Sequence, residues 1–202
     1  MRRVAFLLAV VLAGAVSTAS GQADARMEVA IDAASRDPRP RIRNLMNEER
    51  WREAIDDAFR ISLNWRVDLY RTRAFWVPAR ESRFEVTIVV WREPLLGQYY
   101  MTYLIPGRPP VERVYTSFNE FAFQLEQPLP IQGMRPVPEG VYYYAAALEV
   151  TALDDQQFAE MQRFIGENGR AGGGDAISNW LLRLVGVPSQ TFTERSARFR
   201  VP

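Results

Sequence analysis

Three segments in which every second residue is apolar follow one another between residues 61 and 105. Their apolar positions are Leu63, Trp65, Val67 and Leu69, then Phe84, Val86, Ile88 and Val90, then Tyr99, Met101, Tyr103 and Ile105. A period of two is typical of a strand that buries one face and leaves the other in water. Pro78 follows the first segment and Pro94 with Gly97 follows the second, at points where a sheet needs turns. The pattern therefore predicts an antiparallel β-meander around which the rest of the chain must fold.

Apolar residues spaced three or four apart predict helices before and after this meander. For the first helix, Asn47 is the predicted N-cap, and the apolar stripe consists of Trp51, Ala54, Ile55, Ala58 and Phe59. Ser117 with Glu120, and Asp154 with Gln157, have the spacing of a capping box. These two pairs predict the starts of two further helices.

The remaining segments complete the predicted fold. Residues 27–33 alternate weakly and are a candidate edge strand, whereas residues 141–153 are apolar and aromatic and predict a central strand. Asp175, which follows three consecutive glycines, is the predicted start of another helix. Residues 190–201 are rich in arginine, which favours a strand at the edge of a sheet. We expect an α+β fold, a mostly antiparallel β-meander sheet with helices packed on one face.

Residues 36–43 contain four arginines and two prolines, a composition that predicts an extended and exposed segment. The simpler interpretation is a solvated linker. The alternative is a strip of guanidinium groups that binds phosphate or lipid headgroups.

The composition excludes several kinds of catalytic site. The chain has no cysteine and no histidine, and all 25 of its basic residues are arginines. Ser–His and Cys–His nucleophiles, Schiff-base lysines, thiolate or imidazole metal sites and disulfides are therefore excluded. The net charge of +1 gives no reason to expect nucleic acid as a partner.

Carboxylates remain as candidate catalytic groups, but their spacing does not favour catalysis. Asp56 and Asp57 are adjacent, as are Asp154 and Asp155, and neighbouring side chains do not face each other on a helix. No segment has the alternating Asp and Asn residues around a central glycine that a calcium loop requires. We therefore expect no catalytic residue, no metal and no cofactor.

The N-terminus has the three parts of a secretory signal peptide. Arg2 and Arg3 precede an apolar run at residues 4–16, and small and polar residues follow up to Ala23. Cleavage after Ala23 or Ala25 is expected, which divides the chain into a signal peptide at 1–25 and a single α+β domain at 26–202. The alternative is an uncleaved membrane anchor, although the apolar run of about 13 residues is shorter than the roughly 20 that a spanning helix needs.

Aromatic residues and arginines provide the candidate binding site, because Tyr, Trp and Arg dominate the energetics of protein interfaces. Tyr142 and Tyr144 share one face of a predicted strand and Tyr143 takes the other. Trp76 ends a strand just before the chain turns at Pro78. The predicted partner-binding residues are Arg71, Arg73, Trp76, Arg92, Tyr142 and Tyr144. The alternative is that these aromatic residues only fill a half-buried sheet face.

The order of these segments resembles an exported bacterial family of unknown function, catalogued as domain of unknown function 4390. After the signal peptide, the resemblance includes the helix that ends in Ala58–Phe59, the strands at 65–76, 83–91 and 98–103, the helix at 118–125 and the strand at 141–153. It covers most of the mature chain, and the insert at 171–174 departs from the family pattern. The resemblance implies the envelope of a Gram-negative-type bacterium, and hence the periplasm. It provides no catalytic residues to transfer.

We therefore expect a non-enzymatic periplasmic protein that docks on an envelope or membrane protein complex through an Arg/aromatic surface. A peripheral contact with the membrane surface is left open. The alternatives are a periplasmic hydrolase that uses carboxylates and a small-ligand carrier with an aromatic pocket. An exposed flat Arg/Tyr surface would favour the first function, two carboxyls facing each other in a cleft the second, and a closed aromatic cavity the third.

Overall fold

A computed structural model describes residues 24–73, 76–136, 138–168 and 189–202. Its strands are β1 (Arg26–Ile31), β2 (Pro38–Arg43), β3 (Arg60–Arg73), β4 (Trp76–Glu93), β5 (Gln98–Leu104), β6 (Val111–Tyr115), β7 (Gly140–Leu153), β8 (Ser189–Arg195) and β9 (Phe199–Val201). Its helices are α1 (Glu49–Asp56), α2 (Phe118–Leu125) and α3 (Asp155–Asn168), with a short 3-10 helix at Leu45–Asn47. The predicted signal peptide and the predicted helix from Asp175 lie outside the described residues.

The described strands form one seven-stranded sheet and one two-stranded ribbon. The order in the large sheet is β6-β5-β4-β3-β7-β8, with β9 beside the start of β7. Each strand pair in this part of the chain is antiparallel. The consecutive strands β3 to β6 confirm the predicted meander, and the mostly antiparallel sheet is compatible with the predicted α+β class.

The alternating apolar residues of β3 lie on one face of the sheet, which we call the inner face. Leu63 is buried there between Ile88 of β4 and Val150 of β7, its cross-strand neighbours. Trp51 of α1 and Phe121 of α2 are buried in the same cluster. The main hydrophobic core therefore lies between the inner face and the two helices.

Helix α3 packs on the opposite face of the sheet, which we call the outer face. Phe158 and Met161 of α3 are buried with Val89 of β4 and Leu153 of β7. Val89 pairs with Ser62, so its side chain points away from the Leu63 side. The expectation that all helices pack on one face is therefore not confirmed.

The two-stranded ribbon of β1 and β2 corrects the expectation for residues 36–43. Residues 38–43 of this segment form β2, whose Pro38, Pro40 and Ile42 are buried, and they are not a solvated linker. The guanidinium groups on its other side are paired, since Arg41 and Arg43 both donate to Glu28 Oε2, at 2.7 and 3.2 Å. The hydrogen bond from Arg41 is the largest cause that lowers the pKa of Glu28. Prolines are tolerated here because an outer strand need not use every N–H in pairing.

The first predicted helix is shorter than its apolar spacing suggests. Asn47 lies in the 3-10 helix, and Glu48 takes the N-cap position of α1, although its side chain accepts no hydrogen bond from the first N–H groups of the helix. The helix ends at Asp56, and Ala58 then adopts a left-handed conformation with φ 62°. Phe59 is consequently turned outward and is 43% exposed. Trp51 lies in the core as predicted, whereas Phe59 does not.

The two predicted capping boxes mark the starts of α2 and α3. The Glu120 N–H donates to Ser117 Oγ at 3.2 Å. The Gln157 N–H donates to Asp154 Oδ1 at 2.8 Å, and the Asp154 N–H donates back to Gln157 Oε1 at 3.0 Å. In these two cases the local sequence alone determines where the helix begins.

Candidate functional site

The structure places two of the predicted binding residues in the core. Tyr142 and Tyr144 are fully buried on the inner face, and each hydroxyl donates to a main-chain carbonyl. Tyr143 lies on the outer face, where its ring stacks on Tyr70 with 5.4 Å between centroids. The alternation of the three tyrosines is as predicted, but Tyr142 and Tyr144 have no exposed surface that a partner could contact.

Arg92 lies far from the other candidates. It is half-buried near the end of β4, where its Nη1 is 3.4 Å from Asp56 Oδ1. Its guanidinium lies 6.0 Å from the ring centroid of Tyr99. Trp76 is the first residue of the same strand, so the two are separated by about 50 Å at roughly 3.3 Å per residue. The predicted residues therefore do not form one continuous surface.

Arg71 supports the hairpin formed by β3 and β4. Its Nη2 donates to the Glu139 carbonyl oxygen at 2.6 Å, and its guanidinium lies 5.9 Å from the ring centroid of Tyr142. Gly140 leaves room for this side chain, because a Cβ at that position would lie 2.9 Å from Arg71 Nε. We interpret Arg71 as the residue that fixes the turn end of the hairpin against the start of β7.

Arg73 and Trp76 lie at the end of the same hairpin, which we call the hairpin tip (Arg73, Trp76, Val77 and Pro78). Arg73 and Trp76 pair directly across the two strands. Trp76 is 79% exposed and Val77 is 83% exposed. Arg73 is exposed and makes no ion pair within the described part of the chain. Sequence reasoning identified Arg73 and Trp76 but overlooked Val77, although its place next to Trp76 at a turn was a usable signal.

The hairpin tip projects beyond the strands on both sides of it. The pairing of β3 with β7 ends at Arg71 and Tyr142. The pairing of β4 with β5 begins only at Thr87. Large apolar side chains on such a projection are typical of a contact site.

Charged residues on the outer face form a separate network around Asp68. Arg83 Nε donates to Asp68 Oδ1 at 2.7 Å, and the Nε atoms of Arg66 and Arg80 are each 3.9 Å from a carboxylate oxygen of Asp68. Nearby, burial raises the pKa of Glu149, an effect that the charge of Arg66 partly offsets. Arg83 Nη1 also lies 3.6 Å from Glu85 Oε1, so the three arginines of the network face three carboxyl groups, those of Asp68, Glu85 and Glu149. This balance of charge favours a structural role.

The outer face also contains a depression of about 440 Å³, and its lining residues include Asp68 and Glu194. Both carboxylates are already engaged, Asp68 by Arg83 and Glu194 by the Arg195 N–H at 2.8 Å. A hydrolase that uses carboxylates requires one of them to be available as a base or nucleophile. The arrangement therefore gives the hydrolase alternative no support.

A second cavity, of about 260 Å³, lies on the inner face between α2 and strands β4 to β6. Trp65, Met101 and Leu125 line its apolar part, and Tyr103 and Arg113 also contribute to the lining. We call it the inner-face pocket. It is the feature that corresponds to the predicted aromatic pocket of a small-ligand carrier.

Comparisons with protein-family models, with curated proteins and with solved structures found no match to this chain. The resemblance to domain of unknown function 4390 therefore stays a prediction. Within the residues that the structure describes, no helix is both long enough and apolar enough to cross a membrane. The hairpin tip and the inner-face pocket are therefore the two candidate functional sites.

Proposed function

We propose that the protein is a non-enzymatic exported binding protein that docks on a protein partner of the bacterial envelope through its hairpin tip. The observation that carries this proposal is the exposure of Trp76 and Val77, at 79% and 83%, at the projecting start of β4. Trp and Arg are the residue types that most often dominate interface energy. Arg73, directly opposite Trp76, supplies the guanidinium.

The exposed tip residues are large enough to anchor a complex. Full burial of a large apolar side chain contributes about 1.5–3 kcal/mol, and an interface hot spot at least about 2 kcal/mol. At about 1.4 kcal/mol for each factor of ten, loss of Trp76 would weaken docking by roughly 30-fold. Because the side chain is exposed in the free protein, its loss leaves no cavity in the core.

The partner is expected to contact side chains of the tip and not to add a strand to the sheet. The part of β4 that extends past β5 contains Pro78, which has no N–H to donate. Leu69 pairs with Ser82 and Tyr70 pairs with Arg80, so Glu81 is an extra residue that disturbs the edge. Proline, bulges and charged residues are the features by which edge strands avoid pairing with other chains.

A site-specific cross-linking experiment tests the proposal. A photoreactive amino acid replaces Trp76 in the protein produced in its native host. The matched control carries the same amino acid at Leu95, which is 94% exposed in the turn at the other end of β4. We expect a discrete adduct with an envelope protein from position 76 and none from position 95. Equal adducts from both positions, or none from either, would remove the hairpin tip as the docking site.

Point variants separate docking from stability. Trp76→Ala and Arg73→Lys should each reduce recovery of the protein with membranes, the second because lysine lacks the planar fork of donors. Leu95→Ala should leave recovery unchanged, and the melting temperatures of the three variants should stay within about 2 °C of wild type. Unchanged recovery for both tip variants would contradict the proposal. A large drop in the melting temperature of Trp76→Ala would show that the residue is part of the core.

Export is part of the same proposal and has its own test. The charged residues before the apolar run and the Ala23–Asp24–Ala25 site support removal of a signal peptide during export. Mass spectrometry of the native protein should find Asp24 or Arg26 at the N-terminus. An intact Met1 or Arg2 would favour the membrane-anchor alternative.

A further inference from the structure

The inner-face pocket combines an apolar interior with a cation at its rim. Trp65 and Met101 are buried in its wall, and Leu125 of α2 lies on the opposite side. Arg113 of β6 pairs in register with Met101 of β5, so its side chain is on the pocket side of the sheet. An apolar cavity next to a charged group is suited to a ligand with one apolar and one charged end.

The cation at the rim has no carboxylate partner. Among the described residues, Arg113 makes no ion pair, and its guanidinium lies 5.5 Å from the ring centroid of Tyr103. The adjacent acid, Glu112, accepts from Thr102 Oγ1 at 3.3 Å. Thr102 and Glu112 pair one position away from Met101 and Arg113, so the Glu112 carboxylate lies on the outer face of the sheet. The positive charge at the pocket is therefore not neutralised by its neighbour.

A hydroxyl group in the pocket also lacks a strong acceptor. The Tyr103 hydroxyl donates to Met101 Sδ at 3.1 Å, and a thioether sulfur is a weak acceptor. A tyrosine hydroxyl is protonated at neutral pH and can donate a hydrogen bond, and burial raises the pKa of Tyr103 further. A carboxylate at the rim would offer Arg113 an opposite charge and Tyr103 a better acceptor.

The size of the cavity limits the ligand. An apolar cavity of about 150 Å³ holds benzene, so a cavity of about 260 Å³ has room for roughly ten carbon atoms on the same scale. We propose that the inner-face pocket binds a monoanionic amphiphile, a medium-length acyl chain that ends in a carboxylate. The chain lies against Trp65, Met101 and Leu125, and the carboxylate faces Arg113. This site is separate from the hairpin tip and does not depend on the docking proposal.

Octanoate and 1-octanol are the probes for a direct test, because they share a chain length and differ in charge. Selective 13C labelling of the methionine methyl groups allows the pocket to be observed by NMR. Met101 lines the pocket. Met161 of α3 is buried against the outer face and serves as an internal control. We expect octanoate to shift the Met101 signal and to leave the Met161 signal in place. No shift of Met101 at up to about 10 mM octanoate would overturn the proposal.

Calorimetry of two arginine variants tests the role of charge. Arg113→Gln should weaken octanoate binding by about fivefold and leave 1-octanol binding unchanged, since a partly exposed ion pair has about that effect. Arg198→Gln, which removes an exposed arginine outside the pocket, should change neither. Equal affinity of the wild-type protein for octanoate and 1-octanol would show an apolar cavity without anion selectivity and would refute the assignment. Octanoate affinity unchanged by Arg113→Gln would refute it as well.

Discussion

Trp51 and Phe59 provide the sharpest test of the fold, because the sequence places both on one helical stripe and the structure separates them. Trp51 is 1% exposed in α1, and its Nε1 donates to Gln190 Oε1 at 3.0 Å. Phe59 follows the end of the helix and is 43% exposed. Replacement of each by alanine therefore removes an aromatic ring from two very different environments.

The expected losses of stability differ severalfold. Truncation of a buried Trp to Ala costs about 3–5 kcal/mol, since the ring is lost and a cavity remains. The change also leaves Gln190 Oε1 without this donor, which acts in the same direction. Phe59→Ala opens no enclosed cavity, so its cost should stay near 1 kcal/mol or less. For a chain of this length each kcal/mol lowers the melting temperature by about 2–4 °C, which predicts a drop of roughly 6–20 °C for Trp51→Ala.

Thermal and urea unfolding of both variants measure this difference. In each experiment, fluorescence and circular dichroism should give the same unfolding midpoint if unfolding is two-state. Trp51→Ala should melt well below Phe59→Ala, which should stay close to wild type. A Trp51→Ala variant that melts within about 2 °C of wild type would place α1 away from the sheet. Equal and large losses for the two variants would mean that the helix continues through Phe59.

Three further variants test buried polar groups. Burial raises the pKa of Tyr144, so the native protein retains a proton that the unfolded chain loses near pH 10. Stability in urea should therefore fall as the pH rises above about 10, and Tyr144→Phe should make that fall less steep. At pH 7 the same variant should cost about 1–3 kcal/mol, because the carbonyl acceptors of the hydroxyl lose their donor. Burial also raises the pKa of Glu149, so the folded state loses stability as the pH rises above about 4.5 and this carboxyl group ionises. Glu149→Gln should therefore raise the urea midpoint at pH 7 but not at pH 3. Asp68→Asn removes the carboxylate that accepts from Arg83 Nε, although the contact of Arg83 Nη1 with Glu85 at 3.6 Å remains, and should cost about 2 kcal/mol at neutral pH by thermal melting.

The meander could be predicted from the sequence because its signal is local. Each of its strands alternates over a few residues, and turns with proline or glycine separate them. The polarity of the second face could not be predicted in the same way. Asp68 was expected in water, but it is buried against Arg83, which lies fifteen positions further along the chain. A single strand does not reveal which charge its neighbour will place opposite it.

The orientation of the tyrosine run in β7 could have been inferred from a longer window. Tyr142 and Tyr144 are in phase with Leu148 and Val150 further along the strand, and Glu149 is in the other phase. The phase with leucine and valine is the one that faces the main core. The tyrosines alone gave no such information, because their rings suit a core and an interface equally well.

The half-buried, arginine-rich ribbon and the early end of α1 depended on contacts that the sequence does not display. In β2, proline alternates with arginine at the period of a strand, but proline itself is unfavourable in strands. The ion pairs of Arg41 and Arg43 with Glu28 are visible only in the folded structure. In α1, the apolar spacing continues to Phe59, whereas the left-handed residue Ala58 ends the stripe. Alanine carries no signal for that conformation.

The position of the hairpin tip in the sheet explains how its apolar side chains can be exposed without a loss of stability. Strand β3 runs through the centre of the sheet, with β4 on one side and β7 on the other, and its middle residues Leu63 and Val67 are fully buried. The same strand ends at Arg73, and Arg71 fastens it to the start of β7. A strand that is paired on both sides thus leads to the tip, so that the proposed docking would immobilise little additional chain. The tip side chains themselves contribute almost nothing to the core, which leaves their chemistry free to match a partner.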